Sequence, residues 1–176
     1  MRRWLLGLAT AGLLACDSGA GGDLYIALQS DFAPFESWKK IPLGNAPLAG
    51  HPAGNRAAYI NKPVPAAGAK YPVGTIVIKT VEAGAAVTNW DLFGMTKRGG
   101  GFNSAGARDW EFFILKMTAE RVPVILSHGF SPSDGDGGAY PGNMDAGGVT
   151  CNSCHGVLGT DRTDHLLTPA LAPGAQ

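Results

Sequence analysis

The chain has 176 residues, a length that suits one domain with one core, and its 14 basic side chains balance 14 acidic ones. With no basic patch or stripe, nothing points to a nucleic-acid partner. Three cysteines are too few for a disulfide scaffold, and 26 glycines with 12 prolines argue against long helices and for short strands joined by turns.

Residues 1–15 read as an export signal. Arg2 and Arg3 supply a short positive region, and Trp4 to Leu14 supply an apolar stretch too short to be a comfortable transmembrane helix. The stretch ends in Leu13-Leu14-Ala15-Cys16, which resembles the bacterial lipobox. That resemblance implies a lipid on Cys16 and a protein anchored to a membrane of the bacterial cell envelope, facing the periplasm or the outer surface. Ordinary signal cleavage after Ser18-Gly19-Ala20, leaving a soluble periplasmic protein, is the alternative. Residues 16–24 are expected to form a flexible tether, because Asp17 to Asp23 lacks apolar periodicity. Removing residues 1–15 takes away Arg2 and Arg3 and leaves a slight acidic excess. Residues 25–176 are the expected folded domain.

The domain opens with an expected helix in which Phe32, Phe35, Trp38 and Ile41 recur at helical spacing. Ser30 or Asp31 would cap it, Pro34 would sit in its first turn, and Lys39 and Lys40 would end it favourably for the helix dipole. From Leu43 to Ala69 the text is loop-like, with a short apolar piece at residues 57–60. Three strands are expected at 73–81, 90–97 and 110–117, and a fourth at 122–126 is demoted to a sheet edge by Pro123. A glycine-rich hairpin connection covers 98–106. Residues 131–148 form a Gly/Asp/Ser/Pro loop that leads into the cysteines. The expected class is mainly β.

The chemistry concentrates in Cys151-Asn152-Ser153-Cys154-His155. Two thiols three positions apart can add to the two vinyl groups of a haem, and the next histidine is then placed to ligate its iron, which is the physical reason for the C-x-x-C-H spacing. Attachment of this kind occurs outside the cytoplasm, so the export signal and the motif support each other. Three other readings compete: a simple disulfide, a thioredoxin-like redox dithiol, and a zinc site completed by His155 and one of His51, His128 or His165. The redox dithiol wants a βαβ context and zinc wants a second compact ligand pair, and neither is visible. Only residues 156–176 follow His155, which leaves no room for a small cytochrome that wraps its haem with later sequence. A four-helix cytochrome would need long amphipathic helices that are missing here.

The chain resembles the cytochromes P460 and the β-sheet cytochromes c′ over roughly residues 32–165. The landmarks are Phe35-Glu36-Ser37-Trp38, His51 with Arg56 and Tyr59-Ile60-Asn61, and Tyr71 to Lys79. They continue with Met95-Thr96-Lys97-Arg98, Asp109 to Phe113, the haem motif, and Asp161 or Asp164. The resemblance implies an antiparallel β-sheet domain with a short N-terminal helix and a C-terminal haem motif, often assembled as a homodimer. P460 members oxidise hydroxylamine and handle nitric oxide with a lysine bonded to the haem ring, whereas β-type cytochromes c′ bind small gases at an open iron face. Anchored on Asn61, the cross-linking position falls near Ala66, which departs from the catalytic pattern. Lys62 and Lys70 lie in the same segment and read as surface lysines.

Arg56, Lys79, Lys97 and Arg98 are candidates to pair with the haem propionates, with surface solvation the expected role of at least two of them. His51 is a candidate for the iron or its pocket, against an ordinary loop histidine. Met95 and Met117 read as core, and Glu111 as the polar face of a strand. Three functions remain open: a gas-binding haem protein, a hydroxylamine-oxidising enzyme, and an electron carrier whose second ligand is His51 or Met144.

Overall fold

The computed structural model of the protein describes residues 22–46, 52–132 and 150–175. Cys16, His51, Met144 and most of the expected 131–148 loop lie outside these residues. Six strands form one antiparallel sheet in sequence order: β1 (Lys39–Gly44), β2 (Asn55–Ile60), β3 (Ile76–Glu82), β4 (Asp91–Lys97), β5 (Trp110–Met117) and β6 (Pro123–Gly129). Every neighbour is the next strand along the chain, so each connection needs only to reverse direction. Two short helices, α1 (Gln29–Phe32) and α2 (Cys151–Val157), flank the sheet. No helix among the described residues is long and apolar enough to cross a membrane.

Both faces of the sheet are covered. On the first face Ile78, Leu92, Phe113 and Leu115 pack under Phe32 and Phe35 from the N-terminal segment. Phe32 lies 5.0 Å from the Phe113 ring, and Phe35 meets Tyr59 edge-on at the same distance. On the second face Ala58, Ile60, Val77, Met95, Trp110 and Phe112 pack under Tyr71, Leu166 and Leu171. Burial of alternate residues on opposite faces makes β5 apolar almost throughout. Each fully buried aromatic or aliphatic side chain of this kind contributes about 1.5–3 kcal/mol.

The expected strand 110–117 matches β5, and 90–97 matches β4 to within a residue. The strand expected at 73–81 begins later, at Ile76, because Pro72 to Thr75 makes a turn with Gly74 at φ 79°. Pro123 opens β6, which is a sheet edge as expected. The glycine-rich 98–106 segment does join an antiparallel pair, with Gly99, Gly100 and Gly101 all at positive φ.

The N-terminal helix is a correction. Only Gln29–Phe32 is α-helical; Phe35–Ser37 is a 3₁₀ turn, and Lys39 and Lys40 begin strand β1 instead of ending a helix. The repeat of Phe32 and Phe35 comes from two separate turns on the first face, and Ile41 belongs to the second. Ser30 and Asp31 lie inside the turn; Leu28 occupies the cap, its N–H donating to Asp31 Oδ2 at 2.8 Å. The apolar piece at 57–60 is likewise part of strand β2, which the low strand propensity of Ala57 and Ala58 had hidden. Leu24, the last residue of the expected 16–24 tether, bridges to Gly99, and residues 16–21 of that segment lie outside the described residues.

Candidate functional site

Helix α2 carries the whole motif. Thr150 caps it: Thr150 Oγ1 accepts from Ser153 N at 3.0 Å, and the Thr150 N–H donates to Ser153 Oγ at 2.7 Å. This reciprocal box satisfies two donors that a helix start otherwise leaves bare. Asn152 Oδ1 accepts from Asn103 Nδ2 at 2.7 Å and from Ala107 N at 2.9 Å, which pins α2 to the β4–β5 connection. Gly156 permits the same approach, because a Cβ there would lie 2.9 Å from Gly106 Cα.

With Asn152 and Gly156 turned to that connection, Cys151 and His155, one helical turn apart, meet the second face of the sheet. Cys151 packs against its apolar cluster, and the His155 ring lies 5.4 Å from Phe112. Cys151 and Cys154 are both half-buried and not joined in a disulfide. His155 Nδ1 lies 2.8 Å from the His165 carbonyl oxygen. A carbonyl only accepts, so Nδ1 carries the proton and Nε2 carries the lone pair. Burial pushes the His155 imidazolium down to about 4, with Lys79 adding to the effect, so the ring is neutral at physiological pH.

Two cations share this face. Arg56 pairs with Val81 and Ala58 with Lys79, so Arg56 and Lys79 are diagonal neighbours on adjoining strands. Arg56 is 4% exposed, its Nη1 is buried with no hydrogen-bond partner, and neither cation has a carboxylate partner among the described residues. Lys79 Nζ sits 5.0 Å over the Phe93 ring. Burial, then the nearby Arg56 charge, pushes Lys79 down to about 7. Two uncompensated cations beside the motif are the chemistry that a pair of carboxylates would complete.

The other two propionate candidates are already engaged in the protein, not solvated at its surface. Lys97 Nζ is buried 2.6 Å from Asp164 Oδ1, and Arg98 Nη1 lies 3.0 Å from Glu111 Oε2 on the opposite face. Glu111 also meets His128 Nδ1 at 2.8 Å and faces away from the motif, which removes it from proton transfer there. Lys62 and Lys70 are tied as well, Lys62 Nζ to the Val73 carbonyl at 2.6 Å and Lys70 Nζ to Asp161. Ala66 is exposed.

No group of three or more His, Cys, Asp and Glu side chains among the described residues could hold a metal ion, and His128 lies on the far face. Among the described residues the sheet is antiparallel throughout, with no βαβ unit for a thioredoxin-like dithiol. Two hollows of about 320 Å³ each lie where α2 meets the β4–β5 connection, both lined by Gly106 and Gly156, and neither is lined by Cys151, Cys154 or His155. Comparison with known proteins finds no family model, no curated protein and no solved structure that matches the chain.

The sequence joins His165 to His155 only as a possible fellow zinc ligand and gives no sign of the hydrogen bond between them. Its place follows from a turn at positive φ, for which the sequence carries no periodic signal.

Proposed function

We propose that the protein is an exported c-type cytochrome with one haem c, attached through Cys151 and Cys154 and ligated by His155 Nε2. The observation that carries this reading is the hydrogen bond from His155 Nδ1 to a backbone carbonyl, which leaves Nε2 as the basic atom on a helix that also bears two unbridged thiols. Metal-ligating histidines are characteristically held by such a bond. Each thiol would add across one vinyl group, sulfur bonding to one carbon and the proton going to the other, so attachment needs no oxidant. Arg56 and Lys79 fit the two propionates, the Arg56 orphan nitrogen above all. Haem, once held, supplies an iron able to take a small ligand or an electron.

We favour binding of a small gas such as nitric oxide or carbon monoxide. Among the described histidines and methionines, Met95 is packed in the second-face core, Met117 and His128 lie on the first face, and the His165 ring is turned back on backbone carbonyls. Phe93, Phe112 and Ile114 give this face an apolar wall that favours neutral ligands over charged ones. Hydroxylamine oxidation of the P460 type is less well supported, because Ala66 stands near the cross-linking position and both nearby lysines are engaged. The lipobox resemblance supports a lipid on Cys16. Mass spectrometry of native material should find it there, and an unlipidated N-terminus at Gly21 would show ordinary cleavage instead.

Protein matured with a c-haem assembly system should keep its haem through acid-acetone extraction and denaturing electrophoresis. Its ferrous spectrum should be high-spin and should respond to carbon monoxide. Colourless protein with a Cys151–Cys154 disulfide would sink the reading. A low-spin spectrum indifferent to carbon monoxide, made high-spin by His51→Ala or Met144→Ala, would replace it with electron transfer. A red-shifted ferrous band abolished by Lys62→Ala, Lys70→Ala or Lys79→Ala would restore hydroxylamine oxidation.

A further inference from the structure

His155, within α2, and His165, beyond its end, each hold the other's backbone carbonyl with a ring nitrogen. His155 Nδ1 bonds the His165 carbonyl at 2.8 Å, while His165 Nδ1 lies 3.0 Å from the His155 carbonyl and 2.9 Å from the Gly159 carbonyl. Both acceptors are carbonyls, so His165 Nδ1 also carries its proton. His165 Nε2 is buried and bonds nothing. The ring is thus used for one nitrogen only, and that nitrogen points back at the residue whose own ring it serves.

Keeping the His165 carbonyl in place is costly. Asp164 and His165 sit at φ 47° and 65°, a left-handed conformation that costs a non-glycine residue about 1–2 kcal/mol. Such a turn persists where its surroundings over-determine it. Here Asp164 Oδ1 takes Lys97 Nζ and Oδ2 takes the Tyr71 N–H at 2.8 Å, while the His165 N–H returns to the Thr160 carbonyl at 3.1 Å. Gly159 allows the close approach, since a Cβ there would lie 2.7 Å from His165 Cα. Several bonds therefore converge on aiming one carbonyl at one imidazole.

We propose that His165 is a positioning residue: its Nδ1–H clamps the carbonyls of His155, in α2, and Gly159, just beyond it, so that the His165 carbonyl holds the proton on His155 Nδ1, leaves Nε2 basic, and sets the electron donation from His155 to a bound haem iron. This rests on the cytochrome reading for its iron half and on the chain alone for its tautomer half. A carbonyl held at hydrogen-bond distance gives the imidazole partial anionic character and favours the ferric state. Loosening it should raise the reduction potential and weaken the iron–histidine bond.

Three variants isolate the effect. His165→Asn places an amide N–H at the same bond count as Nδ1, and asparagine tolerates positive φ. His165→Gln places its amide where Nε2 stands, and His165→Ala removes the donor. In the haem-loaded protein, Gln and Ala should raise the potential by about 59 mV, a tenfold change in ferric preference for a one-electron couple, and lower the Raman iron–histidine stretch. Asn should restore both towards wild type. In the unloaded chain, long-range ¹⁵N–¹H correlation should find the His155 proton on Nδ1 in wild type and Asn, and shared with Nε2 in Gln and Ala. A wild-type tautomer in the Gln variant, or equal shifts in all three variants, would overturn the proposal. Failure of wild-type chain to take haem would overturn the cytochrome reading, and the tautomer measurement would still decide the clamp.

Discussion

Each face of the sheet holds a paired buried ion, Glu111 with Arg98 and His128 on the first and Asp164 with Lys97 on the second, but the second also buries a cation, Arg56, with no carboxylate partner among the described residues. On the first, Glu111 is 2% exposed, yet each of its carboxylate oxygens has a partner, one in Arg98 and one in His128. On the second, Arg56 is almost as deeply buried and has no carboxylate partner among the described residues, next to a lysine that burial pushes down to about 7, whereas Arg98, whose Nε is also unpartnered, still has Glu111. A satisfied buried ion is part of the fold. An unsatisfied one, beside a histidine with a basic nitrogen and two thiols, is what the proposed haem would complete. On the cytochrome reading proposed above, the first face is architecture and the second is where a haem would sit.

Breaking the second face where it is satisfied should give the largest effect. Asp164→Ala strands Lys97 in the core and removes the acceptor of the Tyr71 N–H. We expect a loss of about 3–5 kcal/mol in denaturant unfolding. Glu111→Ala on the first face should cost less, because the Arg98 and His128 side chains it would leave are 24% and 51% exposed and water can solvate them. The two variants should differ in the spectrum of haem-loaded protein, which Asp164→Ala disturbs through His165 and Glu111→Ala leaves unchanged. Equal spectral effects would abolish the distinction between the faces.

Lys79→Met sharpens it further. In the unloaded chain the substitution should stabilise by about 1–3 kcal/mol, because it removes a poorly solvated, uncompensated charge. The pH dependence has a definite sign. Lys79 falls from an ordinary 10.5 to about 7 on folding, so the unfolded chain binds the extra proton between those values. Wild-type stability contributed by this group therefore rises with pH from about 7 to 10.5, and the advantage of Lys79→Met should shrink over the same window. With haem bound, its propionates would compensate the charge, and the same substitution should destabilise. Paired pH-dependent melts of loaded and unloaded protein check both signs.

Much of the architecture was legible in the sequence because strands buried on both faces write their apolar character directly, as in Trp110 to Met117. The motif was legible because its spacing is chemical. What escaped was either short or conditional. Phe32 and Phe35 mimic a helix because two unrelated turns fall at helical spacing, and Ala57-Ala58 forms a central strand on packing alone. Arg56 was legible as a candidate, but its selection over Lys97 and Arg98 depends on Asp164 and Glu111, far away in sequence. His165 is ordered by a left-handed turn that no local pattern announces.

The smallest expected effect concerns the cap of the helix that carries the motif. Seven residues are too few for a helix to stand alone in water, so α2 depends on contacts outside itself. In the unloaded chain those contacts are the Asn152 bonds, the His155–His165 pair and the Thr150 box. Thr150→Ala removes the side-chain acceptor of Ser153 N–H and should cost about 1 kcal/mol in unloaded protein. Two thioether bonds and an iron–nitrogen bond would tie α2 at three points, and the helix would then keep its form without the cap. The same substitution should accordingly cost much less in loaded protein, measured by thermal unfolding of the two forms side by side. An equal loss in both would mean that α2 is built to stand without a ligand, and the second face would lose its claim to be where a haem sits.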